Sequence, residues 1–229
     1  MEKLRMKLSP RLTMVAGLVK KNSIAADIGT DHAYLPAYLV TEGISPRVIA
    51  SDISEGPLKN AEKIIRNAKL ENYITLRLSD GLEGYSPEDA DTFIFAGMGG
   101  TLTVRLLEKI PWIKDSSKEF IFQPMSHSED IISFLCENGF EITNELSCFD
   151  DGRCYIAFSA RFTGVKTTPK ASFPYVGLLD RDTSSCAKAF LQKQYGHISK
   201  KYDALSEIKG REEECLKLKA IRDEIKEML

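Results

Sequence analysis

Short apolar runs alternate with segments that carry apolar residues at helical spacing over residues 1–139. An apolar run bounded by glycine or polar residues is typical of a buried strand, and recurrence every three to four residues is typical of a helix. Strands that alternate with helices predict an α/β fold with a mostly parallel sheet. The predicted strands are 23–29, 47–54, 73–81, 90–97 and 119–125, and the predicted helices are 9–21, 35–43, 54–70, 101–110 and 128–139.

The pattern changes beyond residue 139. Residues 140–162 predict two further strands joined around Asp150-Asp151-Gly152, which is a hairpin signal. Residues 163–177 are rich in Thr, Pro and Gly and indicate a linker or an irregular crossing. Two charged segments with apolar residues at helical spacing follow, and they predict an antiparallel helical hairpin like a short coiled coil. A helix pair that only packs on the main domain is the alternative. The predicted domains are therefore 1–162 and 163–229.

Composition indicates an ordinary globular protein. The 229 residues are 43% hydrophobic and 28% charged, with a net charge of −2, so there is no overall attraction to nucleic acid. The five cysteines form no C-x-x-C pair, which predicts neither a zinc site nor a disulfide framework. The amino terminus has no long apolar core and no later run reaches membrane-spanning length. We expect a cytoplasmic monomer with reduced thiols, without a metal or a membrane partner.

Unusual residues follow four of the predicted strands. Ligands of open α/β sheets bind outside the carboxyl ends of the strands, where the strand order reverses. We therefore expect the functional site at this edge. Its candidate residues are Asp27, Gly29, Thr30, Asp31 and His32 after the first strand, Asp52 and Ile53 after the second, Asp80 and Gly81 after the third, and Gly97, Met98 and Gly99 after the fourth.

The acids at this edge suit an adenosine. Asp52 is placed to accept hydrogen bonds from ribose hydroxyls, and Asp80 can accept one from an adenine amine. Gly29 allows the backbone to approach a ligand closely. Acids that merely cap the following helices are the alternative for each position taken singly. That alternative explains three acids in register less well.

The first strand is followed by an acidic loop rather than a phosphate-binding loop. A dinucleotide site uses G-x-G-x-x-G, but Asp31 and Tyr34 occupy its second and third glycine positions, and a P-loop lysine is missing. A ligand with positive charge and no phosphate fits better. S-adenosylmethionine has this character, and Asp27 with Asp31 would favour its cationic groups.

Several motifs in this order resemble a known family. "LSPRL", "DIGTDHAYLP", "ASDIS", "SDGL", "AGMGG" and "QPM" are similar to the bacterial tRNA (adenine-22-N1)-methyltransferase (TrmK) family, closely over about residues 5 to 160. The resemblance implies a class I, Rossmann-like methyltransferase fold with a seven-stranded sheet, S-adenosylmethionine as cofactor, and methylation of N1 of adenosine 22 in tRNA. It also implies a carboxyl-terminal coiled-coil hairpin that helps to hold the tRNA.

The resemblance also suggests roles for the site residues. The loop from Gly29 to Asp31 would shape the methionine end of the pocket, with Asp27 in support. Asp52 with Ile53 would hold ribose and adenine, and Asp80 with Gly81 would meet the adenine edge. Residues 97–99 replace the Asn-Pro-Pro-Tyr motif of many N6-adenine methyltransferases, which argues against N6 methylation.

Catalysis at adenine N1 does not require a strong base. N1 carries an in-plane lone pair, so proximity and alignment can supply much of the rate. The candidates for a catalytic group are Asp31, His32 and backbone carbonyls of residues 97–99. A loop-ordering hydrogen bond is the alternative for His32, and for Tyr34 helix packing is favoured over stacking on a base.

A local basic patch could bind tRNA. Residues 1–21 contain six basic side chains against one acid, whereas the tail from residue 187 is less biased. We expect phosphate contacts from Lys3, Arg5, Lys7 and Arg11, together with a flipped target base. The alternatives are a methyltransferase of the same fold acting on another RNA, a protein or a small molecule, and a non-catalytic RNA-binding protein.

Overall fold

The computed structural model describes residues 7–229. The strands are β1 Ala25–Ile28, β2 Val48–Asp52, β3 Ile74–Leu78, β4 Thr92–Gly99, β5 Glu119–Ser126, β6 Phe140–Asp150 and β7 Arg153–Phe162. The α-helices are α1 Pro10–Leu18, α2 Tyr34–Thr41, α3 Glu55–Ala68, α4 Gly100–Glu108, α5 Ser128–Glu137, α6 Phe173–Val176, α7 Ser185–Ser206 and α8 Glu212–Lys226.

All seven strands form one sheet in the order β3-β2-β1-β4-β5-β7-β6. Strands β1 to β5 are parallel to one another, and β7 runs antiparallel to both β5 and β6. The strand order reverses between β1 and β4, so the ligand-binding edge lies at their carboxyl ends. The prediction of a mostly parallel seven-stranded sheet is confirmed.

Strand β4 shows how the sheet is covered on both faces. Phe93, Ile94 and Phe95 are all almost fully buried, and successive residues of a strand point to opposite faces. Phe93 and Phe95 pack in the core that includes α4 and α5, whereas Ile94 packs in the core that includes α1, α2 and α3. Burial of each such side chain is worth about 1.5–3 kcal/mol, so the continuous apolar run fixes β4 in the centre.

The two carboxyl-terminal helices pack against each other and also against the main domain, so both arrangements considered from the sequence are present. Ala187 and Phe190, near the start of α7, join the core beneath the sheet. Further along, Ile198 of α7 packs with Ile221 and Ile225 of α8 in a separate core. The two predicted helices are therefore present, and the first half of α7 anchors the pair to the sheet.

One expectation about the cysteines is wrong. Cys154 of β7 and Cys186 of α7 form a disulfide, with their Cα atoms 5.9 Å apart. They are separated by 32 positions in sequence, and only the crossing of the chain between β7 and α7 brings them together. Spacing along the sequence carries no signal for such a pair. Cys136, Cys148 and Cys215 are free thiols.

No α-helix within residues 7–229 combines the length and apolar character needed to cross a membrane.

Candidate functional site

The end of β1 is buried and tightly fixed. Asp27 is only 6% exposed, and this burial raises the pKa of its carboxyl group to about 6, while the Thr30 side chain acts in the opposite direction. The backbone N–H groups of Gly29 and Thr30 both donate to the Ser51 carbonyl at 2.8 Å, which ties the loop to β2. Gly29 has φ +80°, a conformation that favours glycine. The sequence therefore builds a tight turn over a buried acid.

An aromatic pair lies on the rim of this loop. The His32 Nδ1 lies 2.8 Å from the Asp31 Oδ2, and the His32 ring stacks on Tyr34 with centroids 5.5 Å apart. Tyr34 is 45% exposed, so the favoured interpretation as a helix-packing residue is wrong. Ala33, which begins α2, has φ +54°, an uncommon conformation for a residue with a Cβ. This turn lies between the two stacked rings.

The acids after β2 and β3 lie along the same edge. The Oδ1 of Asp52 accepts a hydrogen bond of 2.8 Å from the backbone N–H of Ser54, where α3 begins, so the helix-capping alternative holds in part for this acid. A carboxylate can accept several further donors, which leaves capacity for a ligand. Ile53 is 64% exposed beside it. Asp80 lies 3.7 Å from the Lys109 ammonium, in an exposed pair that a ligand can displace at little cost.

Gly97 near the end of β4 and Gly100 at the start of α4 are favoured for different reasons. The pairing of β4 with β5 shifts on either side of Met98, and Gly97 has φ +85°. A Cβ on Gly97 would make only an ordinary contact of 3.5 Å with the Arg11 guanidinium, so its φ is what favours glycine, whereas a Cβ on Gly100 would overlap the His127 carbonyl oxygen. The Met98 sulfur lies 3.5 Å from the corresponding point at Gly29, so β4 faces the β1 loop. This irregular end re-aims the backbone towards the site, as bulges near active sites commonly do.

A buried glutamine holds a cation at this edge. It is not among the predicted site residues. Gln123 of β5 is 0% exposed; its amide nitrogen donates to the Pro124 carbonyl, and its oxygen accepts from Arg11. The backbone N–H of Arg11 donates to Asp150, and its guanidinium lies 6.0 Å from the Tyr155 ring centroid. Arg11 therefore belongs to the rim of the site. The signal was a lone polar residue in the apolar run of β5.

A cleft of about 690 Å³ opens beside this edge, between the β5–α5 turn, the start of β7 and α7. Positive side chains outnumber the single acid, Glu129, among its lining residues. Burial and the nearby Lys201 charge lower the pKa of His197, so this side chain adds little positive charge to the cleft at neutral pH. The basic and imidazole groups that line the cleft are His127, Arg153, Lys193, His197 and Lys200.

Two further groups of side chains bear on the predicted tRNA contacts and on metal binding. Lys3 and Arg5 lie outside the described residues, and Lys7 is exposed. Ligand atoms of His127, Glu129 and Asp130 lie within 4.8 Å of one another, but Asp130 already accepts a 2.7 Å hydrogen bond from Thr101. The absence of a metal stays a prediction.

Comparisons with known proteins agree with this architecture. A family model described as a methyltransferase domain matches residues 8–158. The tRNA (adenine(22)-N(1))-methyltransferase of Bacillus subtilis (strain 168) is 29% identical over 225 residues, 95% of this chain and 94% of that protein. The crystal structure of B. subtilis TrmK has a TM-score of 0.82 at 28% identity, with 98% of both chains covered. Streptococcus pneumoniae Sp1610, named as a candidate tRNA (m1A22) methyltransferase, is 32% identical with a TM-score of 0.83, covering 97% of this chain and 100% of that one.

The chain belongs to the TrmK family.

Membership in the TrmK family confirms the resemblance seen in the motifs and the class I methyltransferase fold. A second structure of Sp1610, in complex with S-adenosyl-L-methionine, is 30% identical with a TM-score of 0.81 and covers 97% of this chain and 100% of that one. The TrmK family thus includes a relative that binds the cofactor which the acidic, phosphate-free edge suggested.

Proposed function

We propose that the protein transfers the methyl group of S-adenosylmethionine to N1 of adenosine 22 in tRNA. The observation that carries this proposal is the buried Asp27 beneath a tight loop that has no phosphate-binding glycines, at the switch point of a TrmK-family sheet. The likeness to B. subtilis TrmK over nearly the whole chain supports the same substrate.

The residues at this edge fit the cofactor. Asp27 has a raised pKa because it is buried, and a cationic group placed beside it would stabilise its ionised form. Asp52 and Asp80 can accept hydrogen bonds from ribose and adenine, and the exposed side chain of Ile53 can cover the adenine face. When bound, S-adenosylmethionine supplies an electrophilic methyl group on a sulfonium. Gly29 to Asp31, with His32 and residues 97–99, would enclose that end.

The protein's part at the target base is to orient it. Adenine N1 attacks through its own lone pair, so alignment of N1 with the methyl group can supply several kcal/mol of the barrier reduction. The exposed Tyr34 and His32 rings can stack on a base that has left its helix, as flipped bases commonly do. Asp31 can accept a hydrogen bond from the N6 amine. The product base is cationic, and the Asp31 carboxylate would stabilise it.

The positive groups beside the site suit an RNA backbone. The fixed Arg11 guanidinium can bind a phosphate of the flipped nucleotide, and Lys7 lies on the same amino-terminal segment. Arg153, Lys193 and Lys200 line the adjoining cleft. We assign residues 1–162 to catalysis and residues 163–229 to holding the tRNA. Because tRNA is a cytoplasmic substrate and one chain supplies all these groups, we place the protein in the cytoplasm as a metal-free monomer.

A labelled methyl group tests the proposal directly. The protein is incubated with methyl-labelled S-adenosylmethionine and unmodified tRNA, and the tRNA is then digested to nucleosides. We expect label in 1-methyladenosine and none when adenosine 22 is replaced by guanosine.

Other outcomes separate the alternatives. Label in a protein, a small molecule or another RNA would replace the tRNA substrate while keeping the methyltransferase. Binding of tRNA without methyl transfer, by a protein that binds the cofactor normally by calorimetry, would favour the non-catalytic alternative.

A further inference from the structure

The disulfide lies where the tail joins the catalytic sheet. Cys154 is the second residue of β7, and Cys186 is the second residue of α7. The bond closes a loop that contains the remainder of β7, the crossing segment and α6. It therefore fixes the first turn of α7 to the sheet independently of the apolar contacts nearby.

The two sulfurs differ in their access to solvent. Cys154 is partly exposed and lines the basic cleft, whereas Cys186 is only 5% exposed. A small oxidant can thus reach Cys154 from the cleft, and Cys186 lies within bonding reach to complete the bond. The Cys154 sulfur also lies 3.0 Å from the Cys186 carbonyl oxygen, which can accept a hydrogen bond from the reduced thiol. The reduced Cys154 thiol therefore has a hydrogen-bond acceptor in place.

We propose that Cys154 and Cys186 form a reversible redox site whose oxidant is hydrogen peroxide. The Cys154 thiolate attacks a peroxide oxygen and becomes a sulfenic acid, releasing water after protonation. The Cys186 thiolate then attacks the Cys154 sulfur and expels hydroxide, which is protonated to a second water. Two thiols are oxidised by two electrons, and one hydrogen peroxide is reduced to two waters. A dithiol reverses the step and is itself oxidised to a disulfide.

The expected consequence is control of the cleft wall formed by α7. Disulfides are rare in compartments rich in reducing thiols and are usually transient there. A reversible bond therefore fits the cytoplasm, where we place the protein because of its proposed tRNA substrate. In the oxidised form the start of α7 is held against the sheet. The positions of Lys193 and Lys200 along the cleft are then restricted. Pre-organisation of these side chains lowers the cost of binding a polyanion. This last step rests on the proposed function, whereas the bond itself does not.

Thiol counting and thermal unfolding test the site without any RNA. The protein treated with hydrogen peroxide should show three free thiols when denatured, and five after reduction by dithiothreitol. A peptide containing Cys154 joined to one containing Cys186 should appear by mass spectrometry only before reduction. The oxidised form should melt about 5–10 °C above the reduced form, because the bond restricts the unfolded chain.

Two variants serve as a matched pair. Cys186→Ser should lose the melting difference and the cross-linked peptide, and its unresolved Cys154 sulfenic acid should leave three thiols after peroxide and four after dithiothreitol. Cys148→Ser should keep the difference and change from two to four. For tRNA bearing guanosine at position 22, we expect roughly threefold tighter binding by the oxidised wild type than by the reduced form. Five thiols after peroxide, bonding between other cysteines, or equal melting temperatures would overturn the redox site. Equal tRNA affinity of the two forms would overturn control of the cleft. Absence of 1-methyladenosine in the transfer assay alone would count only against the proposed function.

Discussion

Asp27 at the ligand-binding edge is a buried residue, and Glu145 beneath the crossing segment is a half-buried residue whose Oε1 is buried, but their surroundings differ. Burial raises the pKa of Asp27 to about 6 and that of Glu145 to about 8. The Oε2 of Glu145 accepts a hydrogen bond from the backbone N–H of Leu178, whereas its Oε1 is buried and has no partner among the described residues. Glu145 therefore joins two parts of the protein in its neutral form, and Asp27 faces a ligand edge where charge is useful.

The comparison shows that a raised carboxyl pKa accompanies the proposed ligand-binding role of Asp27 and close packing at Glu145. At the ligand-binding edge, a bound cationic group would favour the ionised form of Asp27. The burial of Asp27 therefore lowers the stability of the ligand-free protein and strengthens the binding of such a group. Under the crossing, Gly177 has φ +56°, and a Cβ there would overlap the Glu145 carboxyl group. Close packing rather than ligand binding explains that second site.

The largest effect is expected from Asp27→Asn. We expect the affinity for S-adenosylmethionine to fall about 10- to 100-fold at pH 8, since a hydrogen bond to a charged group is worth about 1.5–3 kcal/mol. Calorimetric titration of the wild type should show the same loss as pH falls through about 6, because Asp27 then becomes protonated. The variant should lack this dependence. An unchanged affinity with the wild-type pH profile would mean that no cationic group meets Asp27.

The same variant should be more stable without ligand. The folded pKa of Asp27 lies above its ordinary value of 3.8, so its contribution to stability is lost as pH rises from about 4 to about 6. The shift corresponds to about 3 kcal/mol at pH 8, which the asparagine would recover. Denaturant unfolding at pH 4 and pH 8 checks this: the gain should appear only at pH 8.

Glu145→Gln sharpens the comparison at higher pH. The folded pKa of about 8 lies above the ordinary 4.5, so the unfolded chain releases a proton that the folded protein keeps. The free energy of unfolding should therefore fall by about 1 kcal/mol between pH 7 and pH 8, above most of the range where Asp27 titrates. Glu145→Gln should remove this slope in denaturant titrations.

Glu141→Gln is the matched control for that measurement. Glu141 lies on the same strand but is exposed and pairs with Arg161 at 3.1 Å. Its replacement should leave the slope unchanged. An identical pH dependence in the wild type and in Glu145→Gln would show that Glu145 is already ionised in the folded protein.

The smallest effect is expected from Asp52, an acid of the same edge that is only partly buried. Asp52→Ala should weaken cofactor binding about threefold to tenfold, as expected for one hydrogen bond of about 0.5–1.5 kcal/mol. It should also cost about 1 kcal/mol of stability through the lost contact to Ser54. Asp182→Ala removes a 2.8 Å contact to Ser184 at the start of α7, together with a 3.1 Å hydrogen bond from Ser147, and is the control for cofactor affinity. Equal cofactor affinity in the two variants would place the ribose elsewhere.

Most of the α/β order was predictable because each element carries its own pattern. The run around Phe93 to Phe95 is continuous since β4 is covered on both faces, and the glycines that follow it are needed for local conformation. Asp27 and Asp52 could be predicted as site residues because each lies at the end of a predicted strand, and these strand ends form the ligand-binding edge of the sheet. The exposure of Tyr34 could not be predicted, because Tyr34 follows Ala33, whose positive φ the sequence does not indicate.

The sequence by itself determined the strands, the helices and the residues at their ends, because hydrophobic spacing and turn residues act over a few positions. Only the tertiary structure decided which distant groups meet. Arg11 reaches Gln123, Cys154 reaches Cys186 and Glu145 reaches Leu178 through the packing of elements that lie far apart along the chain. Such contacts depend on the summed burial of many side chains, which leaves no local mark at either partner.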